Sequence, residues 1–348
     1  MTSLAEIPPS SLTPELTRLI KGTVHLSLDD GYNRPMSGRT ARSIKRDLIL
    51  FIGGPTATGK GAVADALADL VEAELVLCDS AKVYRGLGIG ANKPSSEQRR
   101  RHRYHLLDIC DPDERFSAGR YARAAAEALA DIRERGKLPV VVGGTFLFAT
   151  ALFDGICQAP PTDPIVADEL SAMDETALRN ELELVDPEAA ERITPHDRQR
   201  LIRALAVWRQ SGRSLSDWRA ATPVPDHGAP LIRYAFLRDR AKLYERIDER
   251  ARRIFADGIL DETEELLARG CPPDCPALEV IGYTQAVDHL FGYLSYDEAV
   301  EATARASRRL AKRQLSWLRS DERFRQWTIG AGNDPRTLAL ELLHSLSS

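Results

Sequence analysis

The chain has 348 residues, of which 43% are hydrophobic and 28% are charged, values that are ordinary for a soluble globular enzyme with one large or two moderate domains. The formal net charge of −4 argues against a globally basic nucleic-acid binder, although it says nothing about local patches. No apolar run approaches the ~20 residues that a membrane-spanning helix needs, so we expect no membrane association.

The first 46 residues indicate a flexible extension of a cytoplasmic protein. They lack an apolar signal core, and the acidic residues Glu6 and Glu15 argue against an organelle transit peptide. The odd count of five scattered cysteines predicts reduced thiols. Between Cys271 and Cys275 we expect a plain loop rather than a zinc site, because no second Cys/His pair accompanies them.

Strands and helices alternate over residues 47–160, and this alternation predicts an α/β core. The predicted strands span residues 48–53, 74–80, 105–109 and 137–145, and the predicted helices span residues 60–70 and 121–135. Such alternation implies a parallel sheet with right-handed crossovers. The strand ends at Gly53, Asp79 and Gly143 are then expected to meet at one edge, where such sheets bind ligands.

The remaining chain is predominantly helical. Residues 170–218 indicate charged helices with breaks at Pro187 and Pro195, so 161–230 is assigned as a helical insertion that ends in a linker over 221–230. A strand over 231–237 and long helices over 241–269 and 296–318 are expected next. We therefore predict a return to the core over 231–330 with basic C-terminal helices, and a C-terminal tail over 331–348.

A glycine-rich turn, GGPTATGKGAV, follows the first predicted strand and matches a phosphate-binding loop (P-loop). Its glycines permit successive backbone amides to point at an anion, and the following helix start adds positive charge. The alternative is a fortuitous turn, but the strand–loop–helix context favours the motif. The predicted phosphate-contacting residues are Gly54, Pro55, Thr56, Ala57, Thr58, Gly59, Lys60 and Gly61. Gly61 stands where a Ser or Thr hydroxyl usually binds Mg²⁺, so a water would have to replace that ligand.

Six motifs occur in order along most of the chain: GPTATGK, CDSAKVYRGLGIGANKP, VVVGGTFLF, HDRQRLIRAL, IGYTQA and AKRQLSWLR. With them the chain resembles the tRNA dimethylallyltransferases, also called tRNA isopentenyltransferases. The resemblance implies transfer of a prenyl group from dimethylallyl diphosphate to the exocyclic amine of an adenine beside the tRNA anticodon. The loop would then hold a diphosphate, although its motif looks like an ATP site. The resemblance also implies Mg²⁺ as the cofactor and a monomeric enzyme.

The resemblance also implies roles for catalytic residues. Asp79 matches the general base, which accepts the amine proton; it is alternatively a metal ligand, or both. Lys60 and Arg250 would stabilise the departing diphosphate, with Arg246 one helical turn before Arg250. Thr145 matches a threonine near the target base and the phosphates. Solvated helix charges are the alternative for the arginines, and a strand-end cap is the alternative for Thr145.

Three stretches match the RNA-contacting segments of that family. They contain Asp79, Ser80, Ala81 and Lys82; Gln199, Arg200 and Arg203; and Lys312, Arg313, Gln314, Trp317 and Arg319. Between residues 305 and 325 there are eight basic and two acidic residues. A charged stripe is usually a solvated face, but this clustering in an acidic chain favours a track for RNA phosphates. Trp317 is either a core residue or a base-stacking platform.

The family pattern is altered at six positions, and the hypotheses reflect this. The altered positions are Gly61, Ala91, Tyr104, Phe148, Ala167 and Thr284. The first hypothesis is an active tRNA prenyltransferase. The second is a prenyltransferase for a free adenine nucleotide, and the third is a diverged paralogue that binds RNA or nucleotide without transfer. The helical insertion and the basic C-terminal helix favour RNA, because a mononucleotide needs neither.

Overall fold

The computed structural model describes residues 48–194, 196–330 and 332–347. The extension predicted over residues 1–46 and the break predicted at Pro195 lie outside the described residues. The six strands are β1 (Ile49–Gly53), β2 (Ala73–Cys78), β3 (Tyr104–His105), β4 (Leu138–Gly143), β5 (Leu231–Leu237) and β6 (Arg325–Thr328). They form one sheet in the order β3-β2-β4-β1-β5-β6, in which every neighbouring pair is parallel. The predicted α/β fold with a parallel sheet is confirmed.

Helices cover both faces of the sheet, which explains why its central strands are apolar along their whole length. The core helices are α1 (Lys60–Leu70), α2 (Ser96–Arg101), α3 (Ala118–Glu134) and α4 (Phe146–Phe153). On one face, Tyr121 of α3 and Phe153 of α4 pack against the sheet. On the other face, Leu67 of α1 packs with Leu338 and Leu342 from the C-terminal end of the chain.

The helical insertion between α4 and β5 has a core of its own. It consists of α5 (Pro164–Ala172), α6 (Glu175–Val185), α7 (Pro187–Arg192), α8 (Arg198–Ser211) and α9 (Leu215–Ala220). Leu178, Leu182 and Leu205 are among its buried residues. The predicted break at Pro187 is confirmed. Further breaks occur where Asp174 and Ser214 cap α6 and α9 by accepting backbone hydrogen bonds.

The return to the sheet after β5 is also largely helical. It contains α10 (Arg240–Ala256), α11 (Ile259–Ala268), α12 (Tyr283–Leu290), α13 (Tyr296–Arg319) and α14 (Pro335–Ser347). The single helix predicted over 241–269 is wrong, because Gly258 adopts a left-handed φ of 101° and separates α10 from α11. The tail expected over 331–348 contains α14, whose Leu338 and Leu342 are fully buried against the core.

Two further sequence predictions are wrong. The strand predicted over 105–109 ends at His105, because Leu106 and Asp108 adopt positive φ values of 61° and 57° that a strand cannot contain. Cys271 and Cys275 form a disulfide rather than two reduced thiols, since the intervening loop brings their Cα atoms to 6.3 Å. No helix of the described residues is long and apolar enough to cross a bilayer.

Candidate active site

The ends of β1, β2 and β4 meet at one edge of the sheet, as predicted, and glycines permit this close approach. A Cβ atom added at Gly143 would lie 1.9 Å from the carbonyl oxygen of Cys78, and one added at Gly144 would lie 2.8 Å from that of Gly54. Any side chain at these positions would overlap the neighbouring backbone. The glycine pair after β4 therefore sets how closely the phosphate-binding loop approaches the rest of the edge.

The loop between β1 and α1 is held in shape by its own side chains. Gly59 has a φ of 99°, a left-handed conformation that favours glycine. Thr58 is buried, and its hydroxyl donates to the carbonyl oxygen of Pro55 at 2.9 Å. The ammonium of Lys60 donates to the same carbonyl oxygen at 3.1 Å. Lys60 thus lies across the loop at the start of α1, where an anion would sit.

Residues from far along the chain also hold the loop. The buried amide of Gln314 on α13 accepts from the Thr56 backbone N–H at 2.9 Å and donates to the Gly144 carbonyl oxygen at 2.8 Å. Arg250 on α10 donates to the Thr56 hydroxyl at 3.1 Å. Arg246, one turn earlier, donates to the Ala57 carbonyl oxygen at 2.9 Å. Both arginines therefore reach the loop, where the sequence analysis expected them.

Asp79 follows β2 and faces the same edge. Its Oδ1 accepts from the backbone N–H groups of Ala81 at 2.9 Å and Lys82 at 3.3 Å. Its Oδ2 accepts no hydrogen bond from a described residue. The Thr145 hydroxyl accepts from the Ser80 backbone N–H at 3.1 Å and makes no cap to α4. One carboxylate oxygen is thus positioned by the turn, and the other is left for a ligand.

These groups line one cavity of about 940 Å³, whose walls also include α13. Burial lowers the pKa of Lys60 to about 8, and the negative charge of Asp79 opposes that shift. Burial likewise lowers the pKa values of Arg250 and Lys82, again opposed by Asp79. Three cations surround one carboxylate, so the cavity is suited to a strongly anionic ligand.

A hydrogen-bonded network that was not predicted from the sequence holds Arg250 through the Gly90 carbonyl oxygen. The Glu262 carboxylate accepts from the backbone N–H groups of Gly88 at 2.9 Å and Ile89 at 3.1 Å, and also from the Tyr283 hydroxyl. That hydroxyl accepts from the Gly90 N–H at 3.1 Å, and the Gly90 carbonyl oxygen accepts from Arg250 at 3.2 Å. Tyr283 belongs to the IGYTQA motif, and this motif was the sequence signal from which the network could have been predicted.

Comparisons with known proteins identify the family. The model of the "IPP transferase" family matches residues 82–321, which is more than half of the chain. A tRNA dimethylallyltransferase of Syntrophobacter fumaroxidans is 42% identical over 281 residues, covering 80% of this chain and 82% of that protein. One from Thermotoga maritima is 38% identical over 274 residues, covering 78% and 89%. The chain belongs to the tRNA dimethylallyltransferase family.

Solved structures agree with this membership. The full-length tRNA isopentenylpyrophosphate transferase of Bacillus halodurans is 32% identical, with a TM-score of 0.63 over 87% of this chain and 97% of that one. One of Staphylococcus epidermidis is 27% identical, with a TM-score of 0.63 over 86% and 98%. The sequence prediction of the family is confirmed.

The RNA-contacting candidates on α13 separate into buried and exposed residues. Gln314 is buried in the loop support, and the ring of Trp317 stacks on Phe146 with centroids 4.4 Å apart and planes 3° apart. One face of the Trp317 ring therefore packs in the core, as the first of the two alternatives for this residue expects. Arg309, Lys312, Arg313 and Arg319 are exposed and form no ion pair with another described residue. Of these, Arg313 also lines the cavity.

The candidates on α8 lie in the helical insertion and do not line the cavity. Gln199 and Arg200 are exposed. Arg203 donates to the carbonyl oxygen of Pro160 at 2.7 Å and to the hydroxyl of Thr162 at 2.9 Å, so it fixes the segment that leads into α5. The structure thus brings together the residues near Asp79 and on α13, and leaves those on α8 apart from them.

The residues that depart from the family pattern are accommodated locally. The Tyr104 hydroxyl donates to Asp65 at 2.6 Å, and the Thr284 hydroxyl donates to the Leu278 carbonyl oxygen at 2.9 Å. Phe148 stacks on Tyr121 with ring centroids 4.5 Å apart. Ala91 is buried, whereas Ala167 is half-buried on α5. Gly61 is exposed, and apart from its own helix backbone and its chain neighbours no described residue has an atom within 4 Å of where a Cβ would lie.

Proposed function

We propose that this chain transfers a dimethylallyl group from dimethylallyl diphosphate to the exocyclic amine of an adenine beside the anticodon of tRNA. The observation that carries the proposal is the Oδ2 of Asp79, to which no described residue donates, in the same cavity as Lys60 and Arg250. A proton acceptor then faces an anion site, which is the arrangement that this transfer requires. The names of the relatives support the same reaction.

The reaction forms a bond between the amine nitrogen and the prenyl carbon and breaks the bond from that carbon to the diphosphate oxygen. Because an aromatic amine is a weak nucleophile, Asp79 takes its proton as the new bond forms. Lys60, the loop amides and Arg250 stabilise the negative charge that accumulates on the diphosphate. Thr145 and Ser80, hydrogen-bonded to each other beside Asp79, contact the base.

The target adenine must leave the stacked anticodon loop to reach Asp79. The exposed arginines and lysine of α13 contact the RNA phosphates around the extruded base, and Arg313 connects this surface to the cavity. Gln199 and Arg200 of the insertion supply a second, separate contact to the tRNA. A mononucleotide would use neither surface, so the basic face of α13 favours tRNA over a free nucleotide.

We also propose Mg²⁺ as the counter-ion of the diphosphate. Mg²⁺ is commonly held by one or two carboxylates together with substrate phosphates and waters, so Asp79 fits as its protein ligand. No group of three or more acidic, histidine or cysteine side chains suited to a metal occurs among the described residues. When bound, the ion supplies charge neutralisation at the diphosphate; Gly61 offers it no hydroxyl.

The test is transfer of radiolabelled prenyl from dimethylallyl diphosphate, with unmodified tRNA and AMP as parallel acceptors. We expect label in the tRNA alone. Asp79→Asn is expected to abolish the label while leaving donor binding largely intact, because the loop and the arginines remain. Label in AMP would instead support the free-nucleotide enzyme. RNA binding without label in either acceptor would support a non-catalytic paralogue.

We further propose that the protein acts as a cytoplasmic monomer, as the resemblance implies. Asp79, Lys60 and Arg250 line a single cavity of one chain, so the proposed reaction needs no residue from a second copy. Sedimentation velocity of the purified protein with and without tRNA tests this: we expect a single species of about 38.5 kDa before tRNA is added.

A further inference from the structure

Lys82 is a cation of the cavity whose ammonium has no partner among the described residues. Its backbone is fixed by the hydrogen bond from its N–H to Asp79 Oδ1, at 3.3 Å, and its side chain lines the cavity. The ammonium makes no hydrogen bond or ion pair with any residue that the structure describes. By contrast, the Lys93 ammonium is bonded to Asp108 and to the Tyr84 carbonyl oxygen.

The surroundings of Lys82 place its charge near the phosphate-binding loop. Burial lowers the pKa of Lys82; among its charged neighbours Asp79 and Asp65 oppose this shift, and Arg250, which contacts the loop, adds to it. Asp65 lies one helical turn after Gly61 on α1. The positive charge of Lys82 also contributes to lowering the pKa of Lys60. The Asp65 oxygens accept from the Tyr104 hydroxyl and the Gln98 amide, and this carboxylate forms no ion pair with the Lys82 ammonium. The positive charge of Lys82 is therefore available to an anion in the cavity.

We propose that Lys82 binds the diphosphate of the donor directly and replaces part of the charge that a hydroxyl-anchored Mg²⁺ supplies in other phosphate-binding loops. Gly61 has no side-chain oxygen with which to anchor the ion, and no side chain of the described residues other than its chain neighbours lies within 4 Å of where its Cβ would be. Lys82 lines the same cavity as Gly61 and supplies a positive charge to the same ligand. This inference rests on the proposed function and assigns Lys82 to the diphosphate rather than to the RNA.

The test uses inorganic pyrophosphate as the probe, titrated calorimetrically into the full chain in EDTA and again with Mg²⁺. We compare the wild type with Lys82→Gln, Lys82→Arg and a matched control, Lys242→Gln, whose exposed lysine pairs with Glu245 on α10. In EDTA we expect Lys82→Gln to weaken binding by about tenfold or more, the value of a hydrogen bond to a charged group. Mg²⁺ is expected to restore part of this loss. Lys82→Arg and Lys242→Gln are expected to stay close to the wild type.

Equal pyrophosphate affinity of wild type and Lys82→Gln in EDTA, with both proteins folded by circular dichroism, would overturn the inference. So would a loss of equal size in Lys242→Gln, because it would reflect net charge rather than a contact. The titration contains neither tRNA nor a prenyl donor. A missing prenyl transfer alongside the expected Lys82 effect would therefore refute the proposed reaction and leave the anion contact standing.

Discussion

The amide of Gln314 joins the phosphate-binding loop to the end of β4, and Gln314→Leu removes this join while keeping a side chain of similar volume. The change breaks two hydrogen bonds, of 2.9 and 2.8 Å. The buried carbonyl oxygen of Gly144 then lacks its partner, which costs about 2 kcal/mol. Water from the cavity can hydrogen-bond to the Thr56 N–H, so loss of the bond from this N–H to Gln314 costs about 1 kcal/mol. We expect the free energy of unfolding to fall by about 3 kcal/mol in total.

Urea unfolding followed by circular dichroism measures this change, with Gln326→Leu as the matched control. Gln326 is exposed on β6, so its replacement is expected to change stability by less than about 0.5 kcal/mol. Because Thr56 belongs to the loop, pyrophosphate affinity is expected to fall by about fivefold, equivalent to about 1 kcal/mol. If Gln314→Leu matches the control in both measurements, the amide does not hold the loop and the reasoning is refuted.

Three further predictions concern pH and metal. Because the pKa of Lys60 is lowered to about 8, pyrophosphate affinity is expected to fall as pH rises above 8, and binding is expected to take up protons. Calorimetric titrations in buffers of different ionisation enthalpy measure the proton uptake. An affinity that does not change with pH would contradict the prediction. Gly61→Ser is expected to lower the Mg²⁺ concentration for half-maximal transfer, and an unaltered titration would show that another ligand completes the site. Burial raises the pKa of Glu74, but hydrogen bonds from Lys137, His105 and Arg135 outweigh this effect and lower the pKa to about 2. The Glu74 carboxylate therefore stabilises the fold at pH values above its unfolded pKa. That contribution is lost as pH falls from about 4.5 towards 2, and Glu74→Gln should flatten the dependence of stability on pH in that window.

The strands β1, β2 and β4 were predictable because they are apolar runs that end in, or just before, a glycine or an aspartate. The helix predicted over 60–70 matches α1, since the glycines and Lys60 mark its start. The break between α10 and α11 also has a local signal, Gly258, which the helical periodicity on both sides concealed. The strand predicted over 105–109 failed for a different reason. Asp108 and Ile109 donate backbone hydrogen bonds to the carbonyl oxygens of Lys82 and Val83, which lie outside the sheet. No local sequence pattern predicts these two contacts.

The candidate site shows the same division. Its loop residues and Asp79 were predicted from motif and context, because phosphate binding requires glycines and a lysine at fixed spacing. The position of Gln314 could not be predicted from periodicity, since its partners lie 258 and 170 residues earlier in the chain. Glu262 was likewise missed, because a carboxylate on a charged helix is usually solvated. Only the tertiary contacts distinguish it from its exposed neighbours.

The ties between the phosphate-binding loop and α13 bear on the order in which the protein is made. The loop is among the earliest parts of the described fold to be synthesised, whereas Gln314 follows 258 residues after Thr56. Arg250 is separated from Thr56 by 194 residues. Contacts of such long separation form late, after the loop-closure entropy has been overcome. A nascent chain still lacking α13 therefore carries the phosphate-binding sequence without its support, and the anion site matures only near the end of translation.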